Sequence, residues 1–169
     1  MKNVFLVGMP SSGKSTLGRR LARALKYQFV DLDKLIVADQ KRSIPEIFKA
    51  EGEDYFRKVE KSALQAIQPN QKTVVATGGG APCFFDNMCF IKANGLSVFI
   101  NISPSLLAAR ILNHDKDDRP LLSEFKAKDL EKELSRRLTD RLPFYSQADL
   151  SISEKTSIQE IVALLVPLL

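Results

Sequence analysis

The chain has 169 residues, of which 44% are hydrophobic and 27% charged, and its formal net charge is +5. That length and balance suit one globular domain with a sizeable core and argue against two. No apolar run approaches the length of a membrane span, and two cysteines with a single histidine cannot assemble a zinc site.

In chain order, Val4-Phe5-Leu6-Val7 is an apolar run suited to a strand covered on both faces. It is too short for the apolar region of a secretion signal, so a cytoplasmic location is the expectation, with Cys83 and Cys89 reduced and serving as packing residues. Leu17, Leu21 and Leu25 recur every four residues and predict a helix from about Lys14 to Lys26. Phe29 to Leu32 reads as a second strand. Residues 34–40 and 53–67 read as helices, with Ser43-Ile44-Pro45 between them. Thr73 to Thr77 is a third strand, stopped by Gly78-Gly79-Gly80. A helix follows from Asp86 to Asn94, with Gly95 suited to its C-terminal cap. Val98 to Ile102 is a fourth strand, and Pro104 opens a helix through about Leu112.

Residues 113–124 are polar, charged and aperiodic. Leu130, Leu134, Leu138 and Leu142 then form a helical stripe ended by Pro143. Leu150 to Ile152 is a brief fifth strand, and Ile158, Ile161, Val162 and Leu165 mark a closing amphipathic helix. Strands alternating with helices imply crossover units and a parallel sheet, so the fold class is α/β with three layers. The pattern leaves the strand order open.

Residues 1–30 hold Lys2, Lys14, Arg19, Arg20, Arg23 and Lys26 and no acidic residue, a bias that suits an anionic ligand. No RNA-binding signature or aromatic-basic interleaving accompanies it, and no nucleic-acid partner is expected. Gly8-Met9-Pro10-Ser11-Ser12-Gly13-Lys14-Ser15 matches the phosphate-binding loop pattern between a strand and a helix. Such a loop aims successive N–H groups inward, and the following helix adds its positive N-terminus. Lys14 can reach the β- and γ-phosphates, and the Ser15 hydroxyl can coordinate Mg²⁺.

The guanine reader of GTPases and the Asp-Glu pair of many ATPases are both missing. The polar segment 113–124 is placed like a lid, which a small kinase needs to keep water from ATP. Within it, Arg119 could spread charge over a transferring phosphoryl group. His114 is expected to be solvated. Asp31 and Asp33 flank the end of the second strand, where ligands bind in open α/β sheets. Asp31 could hold Mg²⁺ through water. Asp33 could accept a hydrogen bond from a substrate hydroxyl and act as its base, and it could also N-cap the helix over 34–40. Gly78, Gly79 and Gly80 allow close backbone approach to a ligand. Arg57 and Arg141, read beside a carboxylate, would suit a small hydroxylated carboxylic acid.

These residues together resemble the shikimate kinase family over nearly the whole chain. The resemblance rests on Gly8 to Thr16, Asp31-Leu32-Asp33, Glu51-Gly52-Glu53 with Phe56-Arg57, Thr77 to Gly80, Arg119-Pro120-Leu121-Leu122, and Arg141 to Tyr145 followed by Ala148-Asp149. It implies transfer of phosphate from ATP to the 3-hydroxyl of shikimate, in the route to chorismate and aromatic amino acids. It implies the P-loop fold of nucleoside monophosphate kinases, with five parallel strands in the order 2-3-1-4-5.

By position, the catalytic set would be Lys14, Asp33 and Arg119. Ser11, Ser12, Gly13, Lys14, Ser15 and Thr16 would hold the phosphates, with Arg119 reaching ATP from the lid. Asp33, Arg57, Gly79 and Arg141 would bind shikimate, with Gly78 and Gly80 in the same turn. Ser15, and Asp31 through water, would bind Mg²⁺. A single kinase domain over 1–169 follows, with a P-loop at 8–16, a shikimate-binding region at about 34–61, a mobile lid at about 112–124, and an adenine-contacting segment near Ser153 to Thr156. A monomer with no membrane partner is expected. The rival readings are a gluconate or nucleoside monophosphate kinase, and a nucleotide-binding regulatory module without turnover.

Overall fold

A computed structural model describes residues 1–113 and 127–169. Strands β1 (Asn3–Val7), β2 (Gln28–Asp31), β3 (Thr73–Ala76), β4 (Gly95–Ile100) and β5 (Leu150–Ile152) form one sheet in the order β2-β3-β1-β4-β5. Every pairing is parallel. Successive strand residues point to opposite faces, and all five residues of β1 are buried, so both faces of the sheet's centre are covered. The cover comes from helices α1 (Lys14–Leu25), α2 (Leu32–Gln40), α3 (Ile44–Gln65), α4 (Asn87–Asn94), α5 (Pro104–Asn113), α6 (Ala127–Tyr145) and α7 (Ile158–Leu165). Helix α1 packs on α7, α2 on α3, and α5 on α6. Among the described residues, no helix is long and apolar enough to cross a membrane.

Asn3 ties β1 to the chain that leads into β3. Its amide donates to Gln68 O at 2.8 Å, and its Oδ1 accepts from the N–H groups of Gln71 and Thr73. Several expected boundaries move. The β2 strand ends at Asp31, because that carboxylate caps α2 by accepting from Lys34 N. The N-cap is therefore Asp31, and Asp33 lies inside the first turn. Ser43-Ile44-Pro45 is no connection but the start of α3: Ser43 and Glu46 form a reciprocal capping box, and Pro45 sits where a missing N–H costs nothing. Gly52, at φ 80° and ψ 176°, then kinks α3.

Gly95 is the C-cap residue of α4, as expected, and it also opens β4, three residues before the expected start at Val98. Its backbone is extended, but a Cβ there would collide with the Asn3 carbonyl of the adjoining strand. The β3 strand ends at Ala76; the Thr77 N–H makes one more bond to Leu6 O, which also accepts from the Thr77 hydroxyl. Pro143 does not end α6, which continues to the fully buried Tyr145. In its leucine stripe Leu130 and Leu134 are buried, Leu138 is half-buried and Leu142 is exposed. Cys83 is half-buried as expected of a packing residue, whereas Cys89 is exposed and packs little.

Candidate functional site

The carboxyl ends of β1, β2 and β3 open onto one cleft of about 660 Å³. At its floor the loop after β1 turns into α1 through Gly13, whose φ of 94° a side chain would resist. The Lys14 ammonium, nearly buried, donates to Gly8 O at 2.9 Å and Met9 O at 2.7 Å, closing the loop on itself. Ser12 is buried inside this loop, and Ser11 takes a left-handed conformation at φ 62°. The Ser15 hydroxyl donates to Asp31 Oδ2 at 2.6 Å. A hydroxyl and a carboxylate thus stand together beside the phosphate loop.

The far end of the cleft is built on Arg57. Its Nη1 donates to Glu60 Oε2 at 2.8 Å, and its Nε and Nη2 both donate to Glu53 Oε1. A guanidinium carries five N–H donors, so these three bonds leave two without a partner among the described residues. The group lies over the Phe84 ring at 4.2 Å. It also lies flat against Gly80, where a Cβ would come within 2.6 Å of Nη2. A Cβ at Gly78 would strike Glu60 Oε1 and come within 3.2 Å of Asp33 Oδ1. The glycine turn is therefore narrow so that three ionisable side chains can close against its backbone.

Glu60 is 1% exposed, and its Oε1 has no hydrogen-bond partner among the described residues. Burial pushes its carboxyl up to about 7, and the Arg57 guanidinium only partly opposes that. Asp33 raises it further, while Arg141 lowers it. Asp33, Arg57, Glu60 and Arg141 thus form one electrostatic group.

The cleft brings together Ser11, Ser12, Gly13, Lys14, Ser15 and Thr16, with Asp31 and Asp33. Arg57, Gly78, Gly79, Gly80 and Arg141 also line it. Arg119 and His114 lie outside the described residues, as does the expected lid of about 112–124 beyond Leu112 and Asn113, which end α5.

Sequence reasoning missed Glu60, Arg110 and Arg137, all of which line the cleft. Glu60 stands three residues after Arg57, the helical spacing of an ion pair. Arg137 stands one turn before Arg141 and pairs with Glu133, whose carboxyl is lowered to about 2 by hydrogen bonds from Arg136 and Arg137. Arg110 gave no signal beyond its helix; its Nη1 donates to Ser11 O at 3.1 Å. Ser153, Glu154 and Thr156 line the cleft as well.

The chain resembles known proteins over nearly its full length. The shikimate kinase family model matches residues 10–167. A shikimate kinase of Parabacteroides distasonis is 37% identical over 160 residues, covering 95% of this chain and 92% of the relative. One of Clostridium botulinum is 37% identical over 164 residues, covering 97% and 94%. Among solved structures, the shikimate kinase of Bacteroides thetaiotaomicron superposes with a TM-score of 0.88 at 35% identity, covering 96% of this chain and 97% of that one. The enzyme of Acinetobacter baumannii in complex with shikimate superposes with a TM-score of 0.87 at 32% identity, covering 99% and 93%.

Proposed function

The chain belongs to the shikimate kinase family, and from that premise we propose how its cleft phosphorylates the 3-hydroxyl of shikimate with ATP. The observation that carries the reading is one continuous cleft with a phosphate loop at one end and an Arg57–Glu60–Asp33 cluster at the other. A phosphoryl donor and a carboxylate-bearing acceptor meet across it.

Backbone N–H groups of residues 11–16 and the α1 N-terminus hold the phosphates. Lys14 exchanges its bonds to the Gly8 and Met9 carbonyls for phosphate oxygens, as a point charge can. Arg57 and Arg141 pair with the shikimate carboxylate, and Glu60 and Glu53 hold the Arg57 fork in position. Asp33 accepts a hydrogen bond from the attacking hydroxyl and takes up its proton as the new oxygen–phosphorus bond forms and the bond from the γ-phosphorus to the bridging oxygen breaks, releasing ADP. Gly78, Gly79 and Gly80 present backbone to the ring. Most of α2 and α3, about residues 34–61, forms the shikimate-binding region.

Ser15 directly, and Asp31 through water, fit Mg²⁺ completed by phosphate oxygens, and the two side chains are hydrogen-bonded at 2.6 Å. Bound there, the ion would neutralise developing phosphate charge. Arg119 is assigned to ATP from its place in the sequence alone. Ser153, Glu154 and Thr156 line the same cleft and are the residues we assign to the adenine end.

The test is ADP release with ATP and Mg²⁺, comparing shikimate with quinate, gluconate and nucleoside monophosphates. Turnover with shikimate far above the others is expected, and its near-abolition in Lys14→Ala. Preferred turnover of gluconate or a nucleotide would overturn the acceptor roles of Arg57 and Arg141.

A further inference from the structure

The last turn of α6 carries two side chains four residues apart that go to different places. Arg141 lines the cleft, whereas Tyr145 is fully buried. The Tyr145 ring stacks on Phe99 of β4 with centroids 5.1 Å apart. Its hydroxyl donates to Gly79 O at 2.5 Å and lies 3.9 Å from Met9 Sδ. Arg141 Nη1 approaches the same sulfur at 4.0 Å.

A run of three glycines has more conformational freedom than any other tripeptide, yet this one must offer a fixed surface to an acceptor. Its carbonyls are each bonded to protein. Gly78 O accepts from Ala81 N and Gly80 O from Cys83 N, both within the turn itself. Gly79 O alone is held from outside, by Tyr145. No peptide bond here is cis, so the N–H of Gly80 points opposite to the Gly79 carbonyl. With that carbonyl drawn down onto a buried phenol, the amide is turned away from the core.

We propose that Tyr145 is a positioning residue for the acceptor: its hydroxyl locks the Gly79–Gly80 peptide so that the glycine turn offers its amides, not its carbonyls, to a hydroxylated substrate. The same side chain ties the turn to the helix that bears Arg141 and to Met9 of the phosphate loop. The acceptor's carboxylate site, hydroxyl site and phosphoryl donor site are thereby held in one register. This inference rests on the acceptor reading of the cleft given above.

The test is Tyr145→Phe, which keeps the ring stacked on Phe99 and removes only the hydroxyl. The KM for shikimate is expected to rise about tenfold, the scale of one lost preorganising hydrogen bond, with the KM for ATP changed less than about twofold. A shikimate KM that does not move, or equal rises in both KM values, would overturn the proposal. A second measurement needs no substrate. In protein labelled with ¹³C-glycine and free of ligand, the Gly79 carbonyl resonance should move from wild type to Tyr145→Phe, because the phenol is its partner. A resonance that stays put would show that this hydroxyl does not hold the peptide and would overturn the proposal. Wild-type enzyme that ignores shikimate altogether would instead sink the acceptor reading, so the two failures are distinguishable.

Discussion

Glu60 is a carboxyl group placed where a carboxylate is costly, and it remains there because Arg57 and the glycine turn enclose it. Its pKa, raised from 4.5 to about 7 by burial, has a consequence for stability. Between those values the folded chain keeps a proton that the unfolded chain releases. The stabilisation is complete below about 4.5 and is lost as pH rises through about 7. Glu60→Gln should remove this decline, so that its urea-derived unfolding free energy changes less than wild type's between pH 4.5 and 7. An unaltered slope in the variant would mean that another group titrates there. Lys14 and Ser15 were legible because their motif is contiguous and needs no tertiary information. Glu60 was not, because an Arg–Glu pair three apart looks the same on an exposed helix face as it does sealed under a turn.

Helix α3 shows how an element aims residues. Ser43 and Glu46 start it and Gly52 bends it, so the segment bearing Glu53, Arg57 and Glu60 takes its own direction into the cleft. The Gly52 conformation is one that only glycine adopts readily, although nothing lies within 4 Å of where a Cβ would stand. Gly52→Ala should therefore destabilise the chain by about 1–3 kcal/mol through backbone strain alone. Chemical denaturation measures this directly, and a loss under about 0.5 kcal/mol would show that the kink can relax. The Ser-x-x-Glu capping signal was present in the sequence, but Ser43-Ile44-Pro45 also reads as a turn. Proline in a first helical turn suits both readings, and packing decides between them. The same ambiguity hid the last turn of α6, where the buried Tyr145 carries the helix past Pro143.

At the scale of the whole molecule, the cleft is made by loops and helices that meet only because β1 lies between β3 and β4. Strand number was legible from the alternation of apolar runs. Strand order was not, because it depends on pairings between distant segments, and only the family resemblance supplied it. A ligand that bridges such a site stabilises the fold by mass action, about 2.7 kcal/mol at a hundredfold excess over Kd. For a chain of this size that raises Tm by about 5–10 °C. Shikimate should give such a shift in wild type and lose most of it in Arg141→Ala at the same concentration, whereas an ATP analogue should keep its own. Loss of both shifts would place Arg141 in the general scaffold.

The central position of β1 also matters while the chain is being made. Its run Val4-Phe5-Leu6-Val7 is wholly buried between Val74–Ala76 on one side and Leu96–Phe99 on the other. At about 5–20 residues per second, the first of these neighbours leaves the ribosome several seconds after β1 does. Throughout that interval the segment that will shape the nucleotide loop is an unpaired apolar strand in water. Of all the strands it waits longest for its partners, which makes it the segment where a nascent-chain chaperone would bind.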